Sequence, residues 1–474
     1  MTSTPSLNEN PGAPGAPSPT PIAENLPSPA TSGETGSASS TEVGSVFVSN
    51  YPPFSFWSSG ALPDAHAALE RPHGADAPPL GLYLHVPFCR KRCKFCYFRV
   101  YIDKNADEIQ RYLDALATEV ERYADQPAIA GRPLRFVYFG GGTPSYIAVK
   151  HLRVLLDRVK AAMPWDQVEE VTFECEPGTL TRSKVAAYRD LGVTRLSLGV
   201  ESWNEELLRE NGRAHELKEI ERCLPWIREE GFDQLNIDLI AGMVGETWES
   251  WKASVERTIE VSPDSVTIYQ MELPFNTVYS KDILEGGESP VADWATKRAW
   301  NDYAIDRLSE NGYEVSSAYT MVKSTGGGRP GQGKFAYRDS LWHGADMLGT
   351  GVASFGHLSG IHMQNAPSWS EYLNKVEAGE LPLGRAFTTS KDERLVRELI
   401  LQMKLGALEL GYFRNKFGVD PLEAFGDVFE ALHEREMVAS IGDERVELSR
   451  RGLLQVDTLL PGFYDEVYRN ARYT

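Results

Sequence analysis

Gly81-Leu82-Tyr83-Leu84-His85-Val86-Pro87-Phe88-Cys89-Arg90-Lys91-Arg92-Cys93-Lys94-Phe95-Cys96 is the stretch on which the reading of this chain turns. Its first half alternates, with Leu82, Leu84 and Val86 on one face and Tyr83 and His85 on the other, the period of a strand whose two sides meet different surroundings. Three cysteines follow directly on a loop. The chain has five in all, and an odd set with three of them clustered suits metal or redox chemistry rather than a disulfide framework. Three is also the informative number. A structural zinc ion wants four protein ligands, whereas a four-iron cubane held by three cysteines keeps one iron open to an exogenous ligand. His85 would complete a zinc site, so the loop alone leaves both readings open.

Working outward, the same alternation recurs. Strands are expected at residues 81–86, 135–139, 170–176, 195–201, 234–241 and 265–271, with amphipathic helices at 106–124 and 149–162 among the connections. Six strand–helix units predict an α/β fold, a partial (β/α)6 TIM-like barrel with helices outside. Thr172, Glu174 and Glu176 oppose Val171, Phe173 and Cys175; Ser197, Gly199 and Glu201 oppose Leu196, Leu198 and Val200; Asn236 and Asp238 oppose Leu235, Ile237 and Leu239. With the apolar faces turned to the helices, the polar faces converge inside, near the carboxyl ends of the strands where such folds hold their chemistry. The sixth strand leaves its inward face unassigned. Cys175 and Cys223 read as buried thiols.

Composition bounds the rest. A chain of 474 residues with 42% hydrophobic content can bury a large core in two or three domains, and its net charge of −19 opposes attraction to nucleic acid or anionic lipid. No apolar run approaches the roughly 20 residues that cross a bilayer, and no export signal is seen, so no stable membrane insertion is expected and a cytoplasmic location is. Residues 1–45, rich in Pro, Ser, Thr, Gly and Ala, read as a disordered tail. Residues 46–79, with the aromatic patch Tyr51-Pro52-Pro53-Phe54-Ser55-Phe56-Trp57, read as a lid or brace before a core at 80–275. An extension at 276–388 and a helical, winged domain at 389–474 complete the expected order. The loop from Gly326 to Gly333 lacks the Lys-Ser/Thr ending of a phosphate loop and reads as a surface loop.

The CxxxCxxC spacing after a strand, followed by Phe139-Gly140-Gly141-Gly142-Thr143-Pro144 after the next, resembles the radical S-adenosylmethionine (SAM) superfamily. Within it, Tyr83 to Cys89, Phe173-Glu174-Cys175-Glu176-Pro177, Arg195 to Asn204, Gly212-Arg213 and Asn236 to Gly242 resemble, in order, the oxygen-independent coproporphyrinogen III oxidases and heme chaperones. Gln364-Asn365, Tyr372, Gly379, Leu381-Pro382 and Arg385 extend the likeness to the oxidases.

That resemblance implies a [4Fe-4S] cluster on Cys89, Cys93 and Cys96 that cleaves SAM to a 5′-deoxyadenosyl radical. It implies cofactor contacts for Tyr83, Phe95, Gly141 and Glu174, the last pairing with the SAM ammonium. Gly142, Thr143, Glu201, Arg213 and Asp238 match positions near a second SAM, although Glu201 stands where the family usually has Gln; one SAM, or two, is thus implied. Arg213 also reads as a solvated charge after a short helix, and Arg90, Lys91 and Arg92 as a solvated loop or an attractor for an anionic substrate. A tetrapyrrole is the implied small-molecule substrate or ligand, a porphyrinogen or heme, with an electron donor such as flavodoxin or ferredoxin. No catalytic residue beyond these is assigned.

Three activities share the motifs. A porphyrinogen oxidase is favoured by the later likeness, but that subgroup has a further Cys two residues after the third, where Phe98 stands here. Tyr97-Phe98, Tyr269-Gln270 and Tyr313 to Ser316 resemble the heme chaperones, yet Tyr337-Arg338 before Leu341-Trp342 lacks their His, leaving His343, His357 or His362 as substitutes. A radical SAM methyltransferase or a heme-opening enzyme is the third.

Overall fold

The structure is a computed structural model that describes residues 43–287, 291–324, 335–469 and 471. The opening stretch forms β1 (Leu80–Val86), in which Leu80, Leu82, Leu84 and Val86 are buried on one side while Tyr83 and His85 turn to the other. A slip of one residue would exchange the two faces, so burial of the aliphatic set fixes the register. Next come β2 (Leu134–Gly141), β3 (Glu170–Cys175), β4 (Arg195–Glu201), β5 (Gln234–Ala241) and β6 (Ser265–Gln270). They pair in parallel in chain order. Parallel neighbours need crossover connections, supplied by helices Ala106–Ala124, Val149–Ala162, Arg182–Asp190, Leu217–Glu230 and Trp248–Val261. The first of these begins at a capping box in which Asn105 and Glu108 satisfy each other's backbone N–H groups.

The sheet does not close after six strands. Beyond β6 it gains β7 (Tyr313–Val315) and β8 (Thr320–Lys323); on the other side of β1 it gains β9 (Asp346–Thr350), β10 (Phe355–Leu358), β11 (Ile361–Asn365) and β12 (Leu383–Thr388). The result is an open sheet of 12 strands that runs from β12 to β7. The sixth strand's parity is now settled: Val266 and Ile268 are buried, and Thr267 donates inward to Asn236 Oδ1 at 3.0 Å.

A second core gathers Leu399, Ile400, Phe413, Phe429 and Leu460 beside a small sheet of β13 (Ala407–Glu409), β14 (Val438–Ile441) and β15 (Arg445–Leu448) in the order β13-β15-β14. The expected wing is the β14–β15 hairpin. Val48 and Tyr51 belong to this core, with Tyr51 against Tyr464 and Tyr468. Trp57 stacks on His362 at 4.8 Å and 5°, so the aromatic patch joins sheet edge to C-terminal helices rather than resting on the barrel alone. Residues 1–42 of the expected tail, and the loop from Gly326 to Gly333, lie outside the described residues. Among the described residues no helix is long and apolar enough to cross a membrane.

Candidate active site

The cysteine loop leaves the carboxyl end of β1 and is tied down by backbone bonds. Tyr101 N–H donates to Pro87 O at 2.7 Å, Cys89 N–H to Tyr101 O at 3.2 Å, Lys94 N–H to Asn211 O at 3.1 Å, and Val278 N–H to Lys94 O at 2.9 Å. Two donors reach its sulfurs. Thr143 Oγ1 lies 3.3 Å from Cys89 Sγ, and Arg213 Nη1 lies 3.4 Å from Cys93 Sγ. Burial pushes the Cys89 thiol up to about 12 and the Cys96 thiol up to about 11, so thiolates here need a cationic partner. Donors aimed at sulfur and half-buried thiols that need a cation suit an iron–sulfur cluster. His85 Nδ1 meets Tyr83 OH at 3.2 Å, and burial lowers its pKa to about 4, leaving it neutral. Among the described residues no three His, Cys, Asp or Glu groups, the three cysteines with His85 included, converge as a single metal ion requires.

The glycine turn has a cause within the chain. Gly142 carries its backbone so close to Pro87 and Phe88 that a Cβ would sit 2.9 Å from Phe88 O. Gly141, at φ +115°, would drive a Cβ to 2.5 Å from the His85 ring. Both glycines therefore let the turn seat against the start of the cysteine loop. Below lies Glu174, partly buried on the inward face of β3, accepting from Tyr138 OH at 2.7 Å and Gly141 N–H at 3.2 Å. Burial raises its pKa to about 7. Among the described residues no Lys, Arg or His forms an ion pair with it, and Tyr83 stacks on Tyr138 beside it. An aliphatic ammonium in this interior would complete the pair.

Arg213 is not the solvated charge that its place after a short helix also allowed. It is largely shielded, its side chain 12% exposed, donates from Nη2 to Gly199 O at 2.9 Å, and faces Glu201 Oε1 at 3.4 Å. Glu201 sits at φ +64°, beyond a register shift in the β4–β5 pairing. Desolvation raises Glu201 to about 7, against the pull of Arg213. Asp238 accepts from Ser197 Oγ and Asn236 Nδ2, both at 2.9 Å, and burial raises its pKa. Thr143 and Arg213 thus meet cysteine sulfurs, while Asp238 is held by strand neighbours. Phe95, directly before Cys96, is partly buried against the cluster of Ile240, Met271 and Tyr279.

The loop's basic residues divide. Arg90 grips Glu176 through Nε at 3.1 Å and Nη2 at 2.9 Å, and Arg92 donates to Cys96 O at 3.1 Å. Both brace the loop. Glu176, brought down to about 2 by His215 and Arg90 against the effect of burial, was legible only as an inward-facing acid; its spacing of two from Glu174 was the signal. Tyr337, which the sequence singles out only within a heme motif, packs with its ring centroid 4.3 Å from that of Tyr138.

Other motif residues are architectural. Glu119 accepts from Asn365 Nδ2 at 2.6 Å, Tyr372 OH at 2.7 Å and Gly351 N–H at 2.8 Å, knitting β11 to two helices. Gln364 binds Arg385 across β11 and β12. Among the candidate histidines, His357 and His362 meet through their Nδ1 atoms at 3.0 Å, and His362 Nε2 lies 2.9 Å from Tyr51 O; both are buried. His343 is exposed, with Nδ1 at 2.7 Å from Asp339 O. Cys175 and Cys223 are buried thiols near Phe173 O and Ile220 O, as expected.

Residues 83–258 match the Radical SAM superfamily. The chain is similar to the oxygen-independent coproporphyrinogen III oxidase of Synechocystis sp., 26% identical over 81% of this chain and 84% of that one. It is similar to heme chaperone HemW of Lactococcus lactis, 27% identical over 79% of this chain and 94% of that one. The solved coproporphyrinogen III oxidase of Escherichia coli shares the fold, with a TM-score of 0.76 and 23% identity over 88% of this chain and 96% of that one.

Proposed function

From a chain whose residues 83–258 are a radical SAM domain, we propose a radical SAM protein of tetrapyrrole metabolism that acts like an oxygen-independent coproporphyrinogen III oxidase. Cys89, Cys93 and Cys96 hold the [4Fe-4S] cluster, with Thr143 and Arg213 donating to two of the sulfurs. When bound, the reduced cluster supplies the electron that splits SAM into methionine and a 5′-deoxyadenosyl radical. Glu174 receives the SAM ammonium, and Tyr138 and the Gly141 N–H hold its carboxylate in place. The observation that carries this reading is Glu174 itself, a desolvated, partly buried carboxylate with no cationic partner among the described residues, beside a loop of three cysteines.

Tyr97-Phe98 favours a second reading, a heme chaperone that binds and passes on heme without consuming SAM. The pair departs from the oxidase motif, and its rings stack at 4.3 Å on an exposed part of the loop, where a flat apolar ligand has a platform. The test is anaerobic: reconstitute the cluster, add dithionite and SAM, and supply coproporphyrinogen III or heme in separate reactions. Vinyl formation with release of carbon dioxide supports the oxidase. Stable heme binding with transfer and no change of the tetrapyrrole supports the chaperone, and methylated or ring-opened product supports neither.

A further inference from the structure

Glu201 is aimed by its backbone. Between Gly199 and Glu201 the β4–β5 pairing shifts register, so that Gly199 lies beside Asp238 and Glu201 beside Leu239, with Val200 the extra residue. Such a bulge re-aims a side chain. Ser202 N–H donates to Val200 O at 2.8 Å, closing a three-residue turn around Glu201 at φ +64°. A residue other than glycine keeps that conformation where its surroundings over-determine it. Here they are Arg213, whose Nη2 lies 3.4 Å from Glu201 Oε1, and Gly199, where a Cβ would come within 2.9 Å of that oxygen and 3.2 Å of Nη2. Bulge, turn and glycine thus serve one contact. The other end of the guanidinium, Nη1, lies 3.4 Å from Cys93 Sγ. Arg213 therefore stands between a carboxylate and a cysteine sulfur.

We infer that Glu201, acting through Arg213, lowers the reduction potential of the cluster and is a positioning residue for its electron. The inference rests on the cluster assignment of the proposed function and adds a residue that tunes the same site. The potential of an iron–sulfur cluster follows its net charge and the hydrogen bonds to its sulfurs. A guanidinium at Cys93 Sγ supplies both, and so favours the state with the extra electron. Glu201 draws on the same guanidinium from the far side and offsets part of its charge. The reduced cluster is thereby the stronger donor, which helps it pass its electron to SAM. Reduction itself adds one electron from an external reductant, and no bond forms or breaks at Glu201 or Arg213. Asp238 lies on the same inward side but takes its hydrogen bonds from Ser197 and Asn236, not from Arg213.

The experiment uses the full chain with reconstituted cluster and no SAM, at pH 8.5, above the value of about 7 to which burial raises Glu201. Viologen mediators set the applied potential, and the paramagnetic signal of the reduced cluster gives the midpoint. Glu201→Gln is expected to raise the midpoint by about 59 mV or more, tenfold in the equilibrium constant of a one-electron couple. In an Arg213→Gln background the same change should shift that constant less than threefold, because the route through the guanidinium is gone. A Glu201→Gln midpoint within twofold of wild type overturns the proposal, as does an equal shift with and without Arg213. Should Arg213→Gln fail to take up a cluster, Asp238→Asn replaces it, with less than a threefold shift expected. A shift there as large as that of Glu201→Gln overturns the route through Arg213. Should Glu201→Gln fail to take up a cluster, Glu201→Asp is measured, with a shift of at least threefold expected and one below twofold overturning the proposal. A wild-type cluster that splits SAM while its midpoint ignores Glu201 overturns this inference alone; a wild type that takes up no cluster overturns the proposed function and this inference together.

Discussion

Arg213 joins two parts of the site, donating to Cys93 Sγ at 3.4 Å from one nitrogen and facing Glu201 at 3.4 Å from the other. Removing one partner from this largely shielded pair, each side chain 12% exposed, leaves the other charge poorly compensated. Arg213→Gln is therefore expected to destabilise the cluster-free protein by about 3 kcal/mol in urea unfolding. Arg213→Gln/Glu201→Gln should recover at least half of that loss. A single variant within about 0.5 kcal/mol of wild type, the range of an ordinary surface change, would show that the pair does not hold this corner together.

Each cysteine of the loop is expected to be indispensable. Cys89→Ala, Cys93→Ala and Cys96→Ala, reconstituted anaerobically, should lack the [4Fe-4S] spectrum and the cleavage of SAM. Cys175→Ala and Cys223→Ala, at buried thiols away from the loop, should keep both. An intact spectrum with SAM cleavage in Cys93→Ala would sink the cluster assignment.

The proposed contact of Glu174 with the SAM ammonium ties SAM binding to pH. Burial raises its pKa to about 7, so the carboxylate that attracts an ammonium grows as pH rises through that value. SAM affinity in wild type should climb between pH 6 and 8, while Glu174→Gln should bind at least tenfold more weakly, about 1.4 kcal/mol, with no such climb. For folding the sign is opposite. A carboxyl raised from 4.5 is favoured in its protonated form by the fold, so its contribution is present below about 4.5 and lost as pH rises through about 7. Equal pH profiles for SAM binding in wild type and Glu174→Gln would remove the carboxylate from the ammonium site.

The histidine beneath Trp57 makes the brace sensitive to acid. Burial, with Arg397 nearby, lowers His362 from 6.5 to about 3. Its neutral form is therefore the one the fold favours; that contribution is full above about 6.5 and declines as pH falls toward 3. Between pH 7 and 5 the wild-type urea midpoint should fall further than that of His362→Gln. Parallel midpoints would show that the residue is not kept neutral by its surroundings.

Much of the fold was legible because burial imposes a period. The strands from β1 to β6 fall within two residues of their expected bounds, and the helices Ala106–Ala124 and Val149–Ala162 coincide with the amphipathic segments. Pairings set by tertiary contact were not legible, such as β9 beside β1, which continues the sheet where a six-stranded barrel was expected to end. In the site, parity placed Glu174, Asp238 and Glu201 on inward faces correctly. It could not show that Arg213 folds back onto Cys93, because the helix after β4 hides the direction of a long side chain. Asn365 and Tyr372, read beside a likeness to the oxidases, turn to Glu119 instead, a buried acid that helical periodicity alone does not single out.

The two sulfur donors have a consequence for biogenesis. Thr143 lies 54 residues after Cys89, and Arg213 lies 120 residues after Cys93. During synthesis the thiols emerge first, and domains generally fold as units from the N-terminal side. A nascent chain thus displays all three cysteines before the donor to Cys93 exists. Iron loaded for the proposed cluster at that moment would enter an unfinished cradle, so its maturation is best timed after translation has passed β4 and the arginine behind it.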